Sequence, residues 1–357
     1  MNNQNRILKK ICEKNFSIRL AHITVGEQIK YRERMQEELR LITKRDCAGI
    51  FLVLWETLVK DKNTIFLISG GMGGSLVAYL LGLTRSDPMM SDVPLYFALL
   101  FTGEQINPVS VHISRKHKDI IERLMAKECN RAKINGNFYF DVWDTNPVCN
   151  ILARMMEETG VNIDFKEANE EKHYNNVVSL IGHSEIAKKI VMLSTLRPAS
   201  FGDYVNYICM SHSNIGWRRR QRYSDIIDES IITYEDAYEK FLSFGLGEKE
   251  ALNLVMKNCY CLWRRAMAKE EAVLRIILSR YKDNFPELFY KCYFQECASD
   301  IAREYLEQKD FVGFETKVFE NEMIVKEEYT EMNINESFYS DYIVWSYMRR
   351  EGITIYE

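Results

Sequence analysis

Ile65-Phe66-Leu67-Ile68-Ser69-Gly70-Gly71-Met72-Gly73-Gly74-Ser75-Leu76-Val77-Ala78-Tyr79-Leu80-Leu81-Gly82-Leu83 reads as a strand, a glycine-rich turn and a helix in succession. Ile65 to Ile68 is a short apolar run of strand length, and Ser75 to Leu83 is the helix that the turn introduces. Amides at a helix N-terminus are unpaired donors in a favourable dipole field, so such a turn is a candidate anion site. Glycines let a phosphate approach the backbone with no Cβ in the way. Gly70, Gly71, Gly73, Gly74 and Ser75 are therefore candidate phosphate-loop residues. The plainer alternative is a tight strand-to-helix turn kept as scaffold. The tract lacks the Gly-Lys-Ser/Thr ending of a Walker loop and the later acidic residue of a dinucleotide fingerprint. Ser75 is not in a Gly-x-Ser-x-Gly elbow.

Before this tract, residues 28 to 60 read as helical, with Met35, Leu39 and Ile42 at helical spacing and Phe51 to Trp55 as a buried second segment. After it, Pro108-Val109-Ser110-Val111-His112-Ile113 alternates apolar and polar and predicts a strand, and Asn137 to Val142 predicts another. A helix follows Pro147, with Gly160 as its C-cap. From about 177 the chain reads as nearly all helix. Thr233-Tyr234-Glu235-Asp236 is a capping signature, Gly245-Leu246-Gly247 punctuates, and helices are expected over 248–256, about 260–281, and from Pro286 to about 306. The stretch after 316 is acidic and aromatic-rich, with Tyr339 to Met348 as a closing helix.

The 357 residues are 46% hydrophobic, enough for two or three lobes. A net charge of -4 excludes a polycation that grips nucleic acid by bulk charge, so such binding needs a local basic patch. Only six prolines and 17 glycines favour long helices over a many-turned β protein. The opening Met1-Asn2-Asn3-Gln4-Asn5-Arg6 has no apolar leader region, and no apolar run is long enough to span a bilayer, which predicts a cytoplasmic protein with no membrane partner. Nine cysteines lack zinc spacing and read as reduced, mostly buried thiols. His112, His117 and His212 fit no metal spacing.

Several blocks together resemble, in order, the PolC type of bacterial DNA polymerase III alpha subunit. Tyr31 to Leu39 is similar to a helix carrying Arg-Leu-x-x-Glu-Leu, and Gly49 to Trp55 to Gly-Tyr-Phe-Leu-Ile-Val-Trp. The glycine tract, with Ser75 to Tyr79, resembles the loop that holds the incoming triphosphate, and Leu83 to Pro88 its sequel. Leu193 to Phe201 resembles the opening of the thumb, Ile208 to Ser213 its continuation, and Phe285 to Phe294 the end of a finger helix. The resemblance covers roughly 26 to 310, with deletions. It implies an α+β fold with a polymerase-β-like nucleotidyltransferase palm and a mainly helical thumb and fingers. The corresponding division is an N-terminal segment (1–25), palm (26–176), thumb (177–230), fingers (231–315) and a C-terminal segment of unknown role (316–357).

The departures from that pattern decide the functional expectation. The resemblance implies two-metal polymerisation on three aspartates, two of them alternating on the strand after Pro, since hard cations need anionic oxygens. Those two positions read here as Val109 and Val111; Asp141 matches the third and is at most a residual catalytic residue. No metal site or cofactor is expected, with magnesium only if the protein is active. Ser69 stands for the loop arginine, and Arg264 to Glu271 for the finger segment, where Arg265 alone keeps the family's charge and Glu271 would repel a triphosphate. Trp217-Arg218-Arg219-Arg220-Gln221-Arg222-Tyr223 is the densest basic cluster, in the thumb-like region. Arg218, Arg219, Arg220, Arg222 and Arg265 are thus the nucleic-acid candidates, against the alternative of a solvated helix face. The expectation is a degenerate relative without polymerase activity, binding DNA or replication proteins. The alternatives are an active nucleotidyltransferase with carboxylates drawn from Asp141, Asp144, Asp92 or Glu104, and a protein-only partner of replication factors.

Overall fold

The computed structural model describes residues 3–60, 64–102, 105–107, 109–125, 140–162, 198–212, 231, 233–258 and 264–297, with positions 304, 308, 312, 313, 316 and 317. The chain opens with α1 (Asn3–Arg19), whose Leu8, Cys12 and Phe16 recur every fourth residue and are buried. Helix α2 (Val25–Lys44) starts at a capping box in which Thr24 and Glu27 satisfy each other's backbone donors. Helix α3 (Ala48–Leu54) runs into a π turn at Trp55–Val59.

Strand β1 (Phe66–Ser69) leads through a 3-10 turn at Gly71–Gly74 to α4 (Leu76–Leu81), capped by Ser75 and ended by left-handed Gly82 at φ 81°. A 3-10 turn at Phe97–Leu100 precedes the small hairpin of β2 (Phe101–Thr102) and β3 (Gln105–Ile106). Then come β4 (Val109–Ile113), α5 (Lys118–Met125), β5 (Phe140–Trp143) and α6 (Pro147–Thr159). Asn146 caps α6, Pro147 occupies its first turn, and Gly160 closes it at φ 65°. Helices α7 (Phe201–His212), α8 (Tyr234–Ser243), α9 (Glu248–Asn258), α10 (Arg265–Asn284) and α11 (Pro286–Cys297) complete the described chain.

The protein is a mixed α+β molecule, mostly helical among the described residues, with a small three-stranded sheet in the order β1-β4-β5. Strand β1 runs antiparallel to β4, and β4 parallel to β5. This sheet separates two cores. Phe66, Ile68, Val109, Val111 and Ile113 face a core built with α1 to α4. Ile65 and Leu67 join a second core with α6, α7, α10 and α11. A third cluster packs α8 and α9 against Leu99.

The strands expected at 65–68 and 108–113, the helix after Pro147 and the capping box at Thr233 all appear within a residue or two. Pro108 and residues 137–139 lie outside the described residues, as do 177–197 and 213–230. The closing helix expected over Tyr339 to Met348 lies outside them too. Helix α1 was not expected from the sequence. Among the described residues no helix is long and apolar enough to cross a membrane.

Candidate functional site

The glycine turn is a crowded junction. A Cβ on Gly71 would lie 2.4 Å from the Leu99 carbonyl oxygen, one on Gly73 2.7 Å from Ala266 Cβ, and one on Gly74 2.8 Å from the Tyr96 carbonyl oxygen. These three glycines admit the backbone of the 96–100 segment and the first turn of α10, and all three are buried. Gly70 instead supplies a turn at φ 91°.

The amides that open α4 are already engaged. Glu38, fully buried on α2, accepts from Leu76 N at 3.0 Å, Val77 N at 3.0 Å and Ser75 Oγ at 2.8 Å. Ala78 N donates to Ser75 Oγ at 3.1 Å. Arg34 holds the carboxylate from the other side, Nε to Oε1 at 2.6 Å, and donates to the Gly74 carbonyl at 3.3 Å. An internal carboxylate thus sits where the helix end would draw an anion. Burial pushes Glu38 above the ordinary carboxylate range, against the pull of Arg34 and the two amides.

The same device recurs twice. Glu235, buried on α8, accepts from the amides of Arg265 at 2.9 Å and Ala266 at 3.4 Å, at the N-terminus of α10. Burial raises its pKa also. Glu270, buried on α10, accepts from Arg85 N at 2.9 Å and Ser86 N at 2.7 Å. Three buried glutamates therefore satisfy three sets of backbone donors around one junction.

The first turns of α10 are turned inward. Arg265 is 6% exposed and pairs with Asp236 and with Glu239 at 2.8 Å, while donating to the Pro94 carbonyl at 2.9 Å. Burial works to lower its pKa, but Glu239, Asp236 and Glu235 hold it above its ordinary value. The structure thus places this nucleic-acid candidate inside the fold, its charge neutralised there. Lys269 is fully buried and donates to the carbonyls of Asp87 and, at 3.1 Å, Val93. Burial lowers its pKa to about 8. Glu271 is buried and binds Arg275 at 2.6 Å. None of these six internal contacts was legible in the sequence, because each joins residues by tertiary packing or by a rotamer choice.

Strand register sets Asp141 apart from the two valines. Asp141 pairs with Ser110, not with Val109 or Val111. Those valines pair with Phe140 and Val142, and both are fully buried in the apolar core. Alternation fixes this: a shift of one residue moves a strand position to the other face. Ser110 and His112 therefore occupy the positions in line with Asp141, and burial lowers the pKa of His112. Of the other proposed carboxylates, Asp92 is exposed and accepts from Ser91 Oγ at 3.1 Å, Asp144 is exposed, and Glu104 lies outside the described residues. The arginine cluster Arg218, Arg219, Arg220 and Arg222 also lies outside them.

Residues 6–201 match the family model described as the bacterial DNA polymerase III alpha NTPase domain. Among curated proteins, the chain is 30% identical over 115 residues to the DNA polymerase III subunit alpha of Helicobacter pylori, covering 30% of this chain and 9% of that protein. It is 35% identical over 108 residues to the Buchnera aphidicola subunit, 29% of this chain and 9% of that one. With the Mycoplasma genitalium subunit it shares 26% identity over 167 residues, 45% of this chain and 19% of that one. The matched stretch thus spans less than a fifth of each of these relatives.

Proposed function

The chain belongs to the family of the bacterial DNA polymerase III alpha NTPase domain, and from that premise we propose that it is a shortened relative that does not polymerise. Its role is that of a cytoplasmic DNA-binding or replication-accessory protein. The sheet and the helices beside it stand as a reduced polymerase-β-like palm, with thumb and fingers over 177–230 and 231–315.

One observation carries the reading: Glu38, Glu235 and Glu270 fill the backbone-amide sites around the glycine turn with the chain's own carboxylates. A triphosphate entering there would meet negative charge rather than free donors. The glycine turn is then scaffold: it lets α10 and the 96–100 segment close over β1. Val109 and Val111, buried in an apolar core, add that these two positions offer no oxygen donor to magnesium. Ser110 and His112, in line with Asp141, supply no second carboxylate.

The test is primer extension by pure protein with magnesium and all four nucleotides. The expected result is no extension; robust extension overturns the reading. DNA binding is tested separately by changing Arg218, Arg219 and Arg220 together to Ala. Affinity should fall, and the salt slope of binding should shrink by about 1 to 3. An unchanged affinity and slope leaves replication proteins as the partners.

A further inference from the structure

Helices α8 and α9 pack on each other as a hairpin with an apolar cluster of its own, and α9 also touches β2. Ala237, Tyr238, Ala251 and Val255 are buried with Leu99, apart from the two cores that flank the sheet. This cluster is far smaller than either of those cores. Apolar burial therefore holds the hairpin more weakly than it holds the sheet.

Directional ties across the boundary meet at the first turn of α10 and at the 94–99 segment. Glu235 accepts from the amides of Arg265 and Ala266. Arg265 pairs with Asp236 and Glu239 on one side and donates to the Pro94 carbonyl on the other. Glu239 also accepts from Tyr96 Oη at 3.2 Å. The Tyr96 and Tyr238 rings meet edge to face, with centroids 5.1 Å apart. Arg264 lies 4.6 Å over the Tyr234 ring and donates to the Leu99 carbonyl at 3.4 Å. Arg265 joins hairpin, α10 and the 94–99 segment at one point.

Such contacts fix geometry more than they add net stability. A buried ion pair roughly recovers the hydration that its charges give up. The Asp236 and Glu239 side chains keep 16% and 38% exposure, so water takes them readily once Arg265 withdraws. Single ring contacts and hydrogen bonds are each small in net terms. A unit held by a small apolar cluster and by polar contacts that nearly break even opens before the large cores do.

We propose that the α8–α9 hairpin is a latched unit that swings away from the 96–100 segment as one piece, with Arg265 as its latch. Closed, the hairpin covers Leu99 and sets Tyr238 against Tyr96. Open, it bares these side chains while the sheet, α6 and the later turns of α10 stay folded. The latch stands on these contacts alone and is independent of whether the chain polymerises or binds DNA.

The experiment is native-state hydrogen exchange on the full chain over a series of urea concentrations below the unfolding transition. Amides inside α8 and α9, with those of Arg265 and Ala266, should share one opening. They should exchange about 100-fold or more faster than the amides of β1 and β4. Their common urea slope should be above zero and below that of β1 and β4, which marks a cooperative partial opening and not fraying. In Arg265→Met, exchange in α8 and α9 should speed up about tenfold or more, while β1, β4 and α6 change by less than about threefold; Arg265→Lys should fall between. The proposal is overturned if α8 and α9 exchange only with the global slope, if the two helices follow different slopes, or if Arg265→Met speeds all elements alike. Should Arg265→Met not fold, the parent urea series alone decides.

Discussion

Glu38 shows what a single residue does here. It is a fully buried carboxylate with four donors, two of them helix-end amides. Glu38→Ala would leave Arg34, Ser75 and both amides without their acceptor in a dry site, and should cost about 3–5 kcal/mol. Glu38→Gln keeps the shape and one acceptor oxygen, and should cost about 1–3 kcal/mol. Urea unfolding of both variants checks the order. Lys269 gives a pH signature. Its folded pKa is depressed to about 8 by burial, below the unfolded value of about 10.4. A depressed folded pKa means that the contribution is present above the unfolded value and lost as pH falls through the folded one. Relative to Lys269→Met, whose side chain carries no proton, the parent should therefore gain about 3 kcal/mol between pH 8 and pH 10.4. A flat difference across that window would show that Lys269 titrates normally. The acidic partner of a helix end is invisible in sequence: nothing marks Glu38 apart from Glu37 until tertiary packing buries one of them.

At the level of elements, legibility tracked how local the cause was. Pro147 at the start of α6, Gly160 at its end, and the Thr233–Asp236 box are local along the chain, and each was readable. The burial period of α1 was equally local, in Leu8, Cys12 and Phe16, yet it sits among lysines and asparagines that hide an amphipathic helix from a reading by composition. The glycine turn was readable as a turn, but its cause was not. Local sequence suggests room for a phosphate; the structure fills that room with Leu99, Leu100, Tyr96 and Ala266. This makes a prediction about coupling between β1–α4 and α10. Gly73→Ala should destabilise by about 1–3 kcal/mol, since its new Cβ meets Ala266 Cβ at 2.7 Å. Ala266→Gly in the same chain should recover part of that loss, so the double-mutant cycle should return a favourable coupling of at least about 0.5 kcal/mol. Simple additivity in thermal or urea unfolding would mean that the two elements do not bear on each other there.

The whole molecule is organised by a sheet with a core on each side, and this decides which strand positions could ever carry chemistry. Strand alternation was legible at 108–113, but register across strands was not, because pairing between β4 and β5 depends on a connection of 26 intervening residues, only part of which is described. The pairing of Asp141 with Ser110 therefore changes where a restored carboxylate should be tolerated. Val111 is fully buried between β1 and the α1–α4 core, whereas Ser110 is partly exposed on the opposite side of the alternation. Val111→Asp would bury an unpaired charge, and should cost more than about 4 kcal/mol or prevent folding. Ser110→Asp should cost no more than about 1–2 kcal/mol, within the range of partly exposed positions. Circular dichroism melts of the two variants distinguish the faces: equal losses would mean that the register, and with it the two-core architecture, is wrong. On the proposed reading Ser110→Asp should still fail to extend a primer, because the glutamates at α4, at α10 and at the Arg85–Ser86 turn remain in their amide sites, and adding a metal ligand does not remove their negative charge. Extension by that variant would show that the lost carboxylates alone separate this chain from a working polymerase.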